Sequence, residues 1–225
     1  MKKIVFSLFV FFFVLVGSAY ALPVLDAGFE WASSAYWTPT DLTTAENGSV
    51  FSFIVSENAS YESDFGIFTV DDVNNPATIV EKFQILSYNQ ESGAYQSVYF
   101  KYDSGNWSIS KDKASWTDFD NVFGFYFDVH NGGASDPVAD YSYYSDSQFN
   151  DPASEVGIEH ILMAFNGTDE LILYLDDQIL ALPADRDFND MVVHATDVAP
   201  VPEPATLLLL GSGLVGLAFL KRRKQ

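Results

Sequence analysis

The chain contains no cysteine among its 225 residues, which excludes disulfides, thiolate metal centres and a cysteine nucleophile. Basic residues are scarce. Only 11 Lys and Arg stand against 31 Asp and Glu, for a formal net charge of −20. Binding to phosphate backbones needs clustered Lys and Arg, so nucleic acid is not an expected partner. Histidine is scarcer still: His130, His160 and His194 are scattered, with no Gly-x-Ser-x-Gly elbow or His-Glu-x-x-His helix around them. Carboxylates are so numerous that some pair will fall at glycosidase spacing by chance, and nothing in the sequence selects one. The expectation is a protein without enzymatic activity.

What is present points to a packed, exported domain. Aromatic residues make up 16% of the chain, with 20 Phe, 12 Tyr and 4 Trp, enough for a core and too many for wholesale disorder. Charge is segregated. Residues 22–200 hold five basic against 30 acidic residues, a formal −25, while both ends are basic and apolar. Lys2 and Lys3 precede the apolar run Ile4–Gly17, and Ala19-Tyr20-Ala21 fits a small-x-small cleavage site. Residues 1–21 therefore read as a signal peptide with the mature chain starting near Leu22; the alternative is an uncleaved membrane helix.

At the other end, Val201-Pro202-Glu203-Pro204-Ala205-Thr206 leads into the apolar run Leu207–Leu220 and then Lys221-Arg222-Arg223-Lys224. These residues, 201–225, resemble the PEP-CTERM tail of Gram-negative bacteria: Pro-Glu-Pro, a short Gly-containing hydrophobic helix, and a basic cluster. The resemblance implies recognition by an exosortase, cleavage near Pro202, Glu203 and Pro204, and delivery to the outer surface, often in exopolysaccharide-producing species. Physical chemistry points the same way. Ala205–Leu220 is a marginal membrane span, and the basic cluster Lys221, Arg222, Arg223 and Lys224 should stay cytoplasmic, as should Lys2 and Lys3. Both ends inside leave the acidic body outside. A plain tail anchor without processing is the simpler alternative.

The body, 22–200, reads as one all-β domain. Ser49–Glu57, Phe65–Val70 and Thr78–Tyr88 are rich in Val, Ile, Phe and Tyr and end in turn-forming residues. Val98, Phe100 and Tyr102 alternate with Tyr99 and Lys101, and Ser104-Gly105 predicts a hairpin to Asn106–Ser110. Phe123, Phe125 and Phe127 share a face, Leu171, Leu173 and Leu175 repeat that pattern, and Met191–Thr196 offers a last strand. A short helix is possible over Ala153–Ile161. Such strand spacing favours an antiparallel β-sandwich, jelly-roll-like.

Candidate chemistry sits just before the tail. Asp185, Asp187 and Asn189 alternate, with Asp190 directly after, and hard cations such as calcium take six to eight oxygen ligands. Asp176 and Asp177, ending the preceding strand, offer further carboxylates across the hairpin. The EF-hand pattern is excluded: no Gly follows Asn189, and Thr196 stands where its Glu would be. The competing reading is an acidic turn whose Asx side chains bond their own backbone, with Arg186 neutralising a neighbour.

Residues 123–193 are also similar to the bacterial extracellular family called domain of unknown function 4114. The landmarks are Phe123-Gly124-Phe125-Tyr126, Tyr144-Ser145-Asp146, His160–Phe165, Leu171–Asp177 and Asp185-Arg186-Asp187-Phe188-Asn189-Asp190-Met191-Val192. That resemblance implies a small β domain of secreted and surface proteins with bound Ca2+, and no reaction. The expected function is a structural or adhesive component of the cell surface or extracellular matrix, with calcium stiffening the domain and extracellular polysaccharide as a possible partner. The alternative is a carbohydrate-binding module using exposed aromatics among Trp31, Trp37, Trp107 and Trp116.

Overall fold

The computed structural model describes residues 22–42, 48–57, 62–88, 90, 92–131, 138–179 and 186–201. The signal segment with Ala19 and Ala21, Asp185, the sorting residues Pro202, Glu203 and Pro204, the hydrophobic run 205–220 and the basic cluster Lys221, Arg222, Arg223 and Lys224 lie outside those residues. The described body is all-β. The strands are β1 (Glu30–Trp31), β2 (Trp37–Pro39), β3 (Ser49–Glu57), β4 (Glu62–Val70), β5 (Ile79–Leu86), β6 (Tyr95–Asp103) and β7 (Asn106–Ser110). They continue with β8 (Thr117–Asp118), β9 (Gly124–His130), β10 (Tyr141–Tyr144), β11 (Ile161–Phe165), β12 (Glu170–Leu175), β13 (Met191–Thr196) and β14 (Val198–Pro200). Every pairing between them is antiparallel.

An eight-stranded sheet runs β1-β11-β12-β13-β3-β6-β7-β8, a four-stranded sheet runs β10-β9-β4-β5, and β14 pairs with β2. Period-two alternation explains how the sheets relate to the core. Val98 and Phe100 of β6, Leu171, Leu173 and Leu175 of β12, and Met191, Val193 and Ala195 of β13 point inward from the large sheet. Phe65 and Ile67 of β4, and Phe125, Phe127 and Val129 of β9, join the same buried cluster from the small sheet. Phe100 stacks on Phe123 with ring centroids 5.5 Å apart, so aromatic rings as well as aliphatic side chains fill the shared interior.

The expected hairpin is present: Tyr102 faces Trp107 across the β6–β7 pair, and Ser104 and Gly105 both adopt positive φ, at 54° and 97°. Two residues at positive φ give the primed turn whose twist matches the strands it joins. One expectation fails. Ala153–Ile161 is not a helix: a single 3-10 turn covers Ala153–Glu155, and β11 begins at Ile161. Gly157 in that stretch sits at φ 80°, which interrupts a regular right-handed helix.

The outer face of the small sheet has a cluster of its own, in which Tyr36, Phe68, Tyr126 and Tyr144 pack together. Lys82 lies over the Tyr126 ring at 4.0 Å and pairs with Asp128 at 2.7 Å. The N-terminal segment stitches the sheets together. β1 pairs with β11 at the edge of the large sheet, Ser145 Oγ donates to the Ala35 carbonyl (2.7 Å), and Trp37 bridges to Phe123.

Candidate functional site

The acidic corner is built where β12 ends and β13 begins. Leu175 pairs with Met191, which brings Asp176 and Asp177 beside Asp190. The Asp177 N–H donates to Asp190 Oδ2 (2.8 Å), and the Gln178 N–H donates to Asp176 Oδ1 (3.1 Å). Asp176, Asp177 and Asp190 are all buried. Burying carboxylates is costly unless charge or hydrogen bonds compensate, and part of that compensation comes from Arg186. Its Nε lies 3.5 Å from Asp176 Oδ2, and its Nη2 donates to the Glu159 carbonyl (2.6 Å).

The backbone explains how the loop sorts its side chains. Arg186 and Phe188 both sit in the left-handed region, at φ 53° and 55°. Both are buried, Phe188 against Ala164, Ile172 and Tyr174. Asp187 and Asn189, at the alternate positions, are half-exposed and exposed, and they bond to each other: Asp187 Oδ1 accepts from the Asn189 N–H (3.2 Å) and Oδ2 from its side-chain amide (2.6 Å). The structure thus places Asp176 and Asp177 next to Asp190 in the strand pairing without converging their carboxylates, and sets Asp187 and Asn189 on the outer side as an Asx pair.

Three buried residues extend the corner, and sequence reasoning did not assign them to it. His160 Nδ1 lies 3.0 Å from the Asp176 carbonyl and Nε2 lies 3.1 Å from Glu155 Oε2, while the Tyr143 ring stacks on the imidazole at 3.7 Å. Burial pushes the His160 pKa below its ordinary value, against the contrary pull of the Asp176 carbonyl and Glu155. Burial, aided by Glu155, likewise raises the Tyr143 hydroxyl. No local spacing could have revealed this set, because the pairing of β11 with β12 is what brings His160 to Asp176.

The donor chemistry suits a hard cation: the acidic side chains offer only carboxylate oxygens. Among the described residues, however, no three acidic or histidine side chains converge as a metal cluster. Asp185, the first of the alternating oxygen ligands, lies outside those residues.

The tail follows directly on the fold. β14 pairs with β2, and the Val201 N–H donates to the Tyr36 carbonyl (2.9 Å), so the described body extends to residue 201. Residues 200–224 match the PEP-CTERM protein-sorting motif. The PEP-CTERM motif implies an exported chain that carries a C-terminal membrane anchor until an exosortase processes it. Among the described residues no helix is long and apolar enough to cross a membrane. The similarity of residues 123–193 to domain of unknown function 4114 finds no support in these comparisons. No curated protein and no solved structure matches the chain.

Proposed function

We propose that the chain is a structural or adhesive protein of the surface or extracellular matrix of a Gram-negative bacterium. In this reading residues 1–21 are removed as a signal peptide, and the tail is cut near Pro202-Glu203-Pro204. The observation that carries it is the PEP-CTERM motif starting at the last strand of a folded, strongly acidic body. The body, read as a β-sandwich on the strength of its two sheets sharing one core, is stiffened by Ca2+ at the acidic corner. Support for calcium is the concentration of buried carboxylates there, Glu155, Asp176, Asp177 and Asp190. Asp176, Asp177 and Asp190 would hold the ion together with Asp185, and Asp187 and Asn189 would close the outer side. The ion's chemistry is that of a rigid counter-charge.

Processing is tested by replacing Pro202, Glu203 and Pro204 together with alanine in a host that has an exosortase. The original chain should be recovered outside the cell with its tail removed, as judged by intact mass. The variant should remain in the membrane fraction with its tail in place. Equal processing of both would overturn the sorting assignment.

A further inference from the structure

Trp31 is the one tryptophan among the four that stands more than a third exposed, at 41%. Trp37 is fully buried, and Trp107 and Trp116 are half-buried. The exposure of Trp31 follows from its place: β1 is a two-residue edge strand held on β11 by the pairing of Trp31 with Ala164. The ring is braced edge-on by Tyr174 at 5.8 Å, so it is a supported platform.

Beside it lies a groove of about 540 Å3, between the edge of the large sheet and the turn that follows β10. Trp31, Ser33, Asp146, Ser147, Glu159 and Met163 line it. A second hollow, of about 450 Å3, continues past the same ring toward Ser34 and Asn166. The two hollows meet at Trp31, Ala32 and Ser33, which line both.

The polar groups of the groove are held in position. Asp146 Oδ2 accepts from the Tyr36 hydroxyl (2.8 Å) and from the Gln148 side-chain amide (2.8 Å), and Oδ1 accepts from the Gln148 N–H (3.3 Å). Glu159 Oε1 accepts from Ser147 Oγ (3.2 Å), and the Glu159 backbone is fixed by Arg186 through its carbonyl. Partial desolvation pushes the Glu159 carboxyl above its ordinary pKa, with nearby Asp146 adding to the rise, although the residue keeps much of its contact with water.

We infer that this groove binds a saccharide chain of pyranose units that are neutral or amino-bearing. A pyranose presents a C–H face that packs on an indole and a rim of hydroxyls that donate to carboxylates; Asp146 and Glu159 are acceptor-only when ionised, and Ser33 and Ser147 both donate and accept. Uronate units are disfavoured. Their carboxylates would meet Asp146 and Glu159 on a body of formal charge −25. The inference goes beyond the calcium reading and uses different residues and a different readout.

The test is isothermal titration calorimetry on the full chain in a detergent without a sugar headgroup. The probes are cellohexaose, a hexamer of glucosamine and a hexamer of galacturonate, each up to millimolar concentration. Heat of binding is expected from cellohexaose, the glucosamine hexamer or both, and none from the galacturonate hexamer. Trp31→Ala should weaken binding by about tenfold or more, while Trp31→Phe should retain most of it and show that the edge strand still folds. Glu159→Gln should weaken the glucosamine hexamer more than cellohexaose, and Trp107→Ala should change neither. Binding of neither non-acidic probe, equal binding of the galacturonate hexamer, or unchanged affinity in Trp31→Ala would each overturn the inference.

Discussion

At the residue scale, the many acids have distinct duties, and most are local. Asp112 shows one. Its carboxylate accepts the N–H groups of Ala114 and Ser115 and the Ser110 hydroxyl, closing the loop between β7 and β8. Those hydrogen bonds, led by Ser115, favour the charged form and hold its pKa below the ordinary 3.8. The native carboxyl therefore releases its proton more readily than the unfolded one. The stabilisation is present above 3.8 and is lost as pH falls through the lower native value. Carbon-detected NMR of the Asp112 carboxyl should show a midpoint below 3.8, and a midpoint at or above that value would contradict the hydrogen-bonded loop. Asp187 works similarly toward Asn189, whereas Asp146 faces the Trp31 groove and Asp176 faces the interior.

At the element scale, strands were far more legible than sites. β3 spans Ser49–Glu57 as its composition predicts, and Phe125 and Phe127 face the core because period-two alternation leaves them no other side. The hairpin at Ser104-Gly105 was legible for the same kind of reason, a local turn signal. The acidic corner was only half legible. Adjacent carboxylates marked Asp176, Asp177 and Asp190, but the left-handed conformations of Arg186 and Phe188, which set Asp187 and Asn189 on the outer side, are announced by nothing in residue type. The groove at Trp31 was legible only in its ring, one of the four tryptophans offered as exposed aromatics; its polar lining joins residues more than a hundred positions apart, as in the bond from Tyr36 to Asp146.

The pair β4–β9 gives a sharper test at this scale. Phe68 and Gly124 are register partners, and the Phe68 ring lies where a Cβ on Gly124 would stand, with Ser145 Oγ beside it. Gly124→Ala must displace that ring, which also contacts Tyr36 and Tyr144 edge-on. It should cost about 1–3 kcal/mol by overpacking, read as a lower urea midpoint. An unchanged midpoint would mean that the outer aromatic cluster is loosely packed.

At the scale of the whole molecule, the governing fact is charge. A body with five basic and 30 acidic residues repels itself, because five cations cannot neutralise 30 carboxylates. Placing such a body outside the cell, where divalent cations are abundant, lets ions do what Lys and Arg do elsewhere. Diffuse screening and a specific site differ in selectivity: monovalent salt and magnesium serve the first, and only a fitted oxygen cage prefers calcium. The most direct measurement is thermal melting of residues 22–200 in chelator and then in calcium, with magnesium, sodium chloride and an Asp187→Ala variant as controls. At about 100 times its dissociation constant a native-state ligand stabilises by about 2.7 kcal/mol, which raises the melting temperature by several degrees in a domain of this size. A rise selective for calcium and abolished by Asp187→Ala is the predicted result. An equal rise with magnesium or sodium chloride in both proteins, or no rise, would contradict a calcium-stiffened corner and reduce it to an acidic turn on a screened surface.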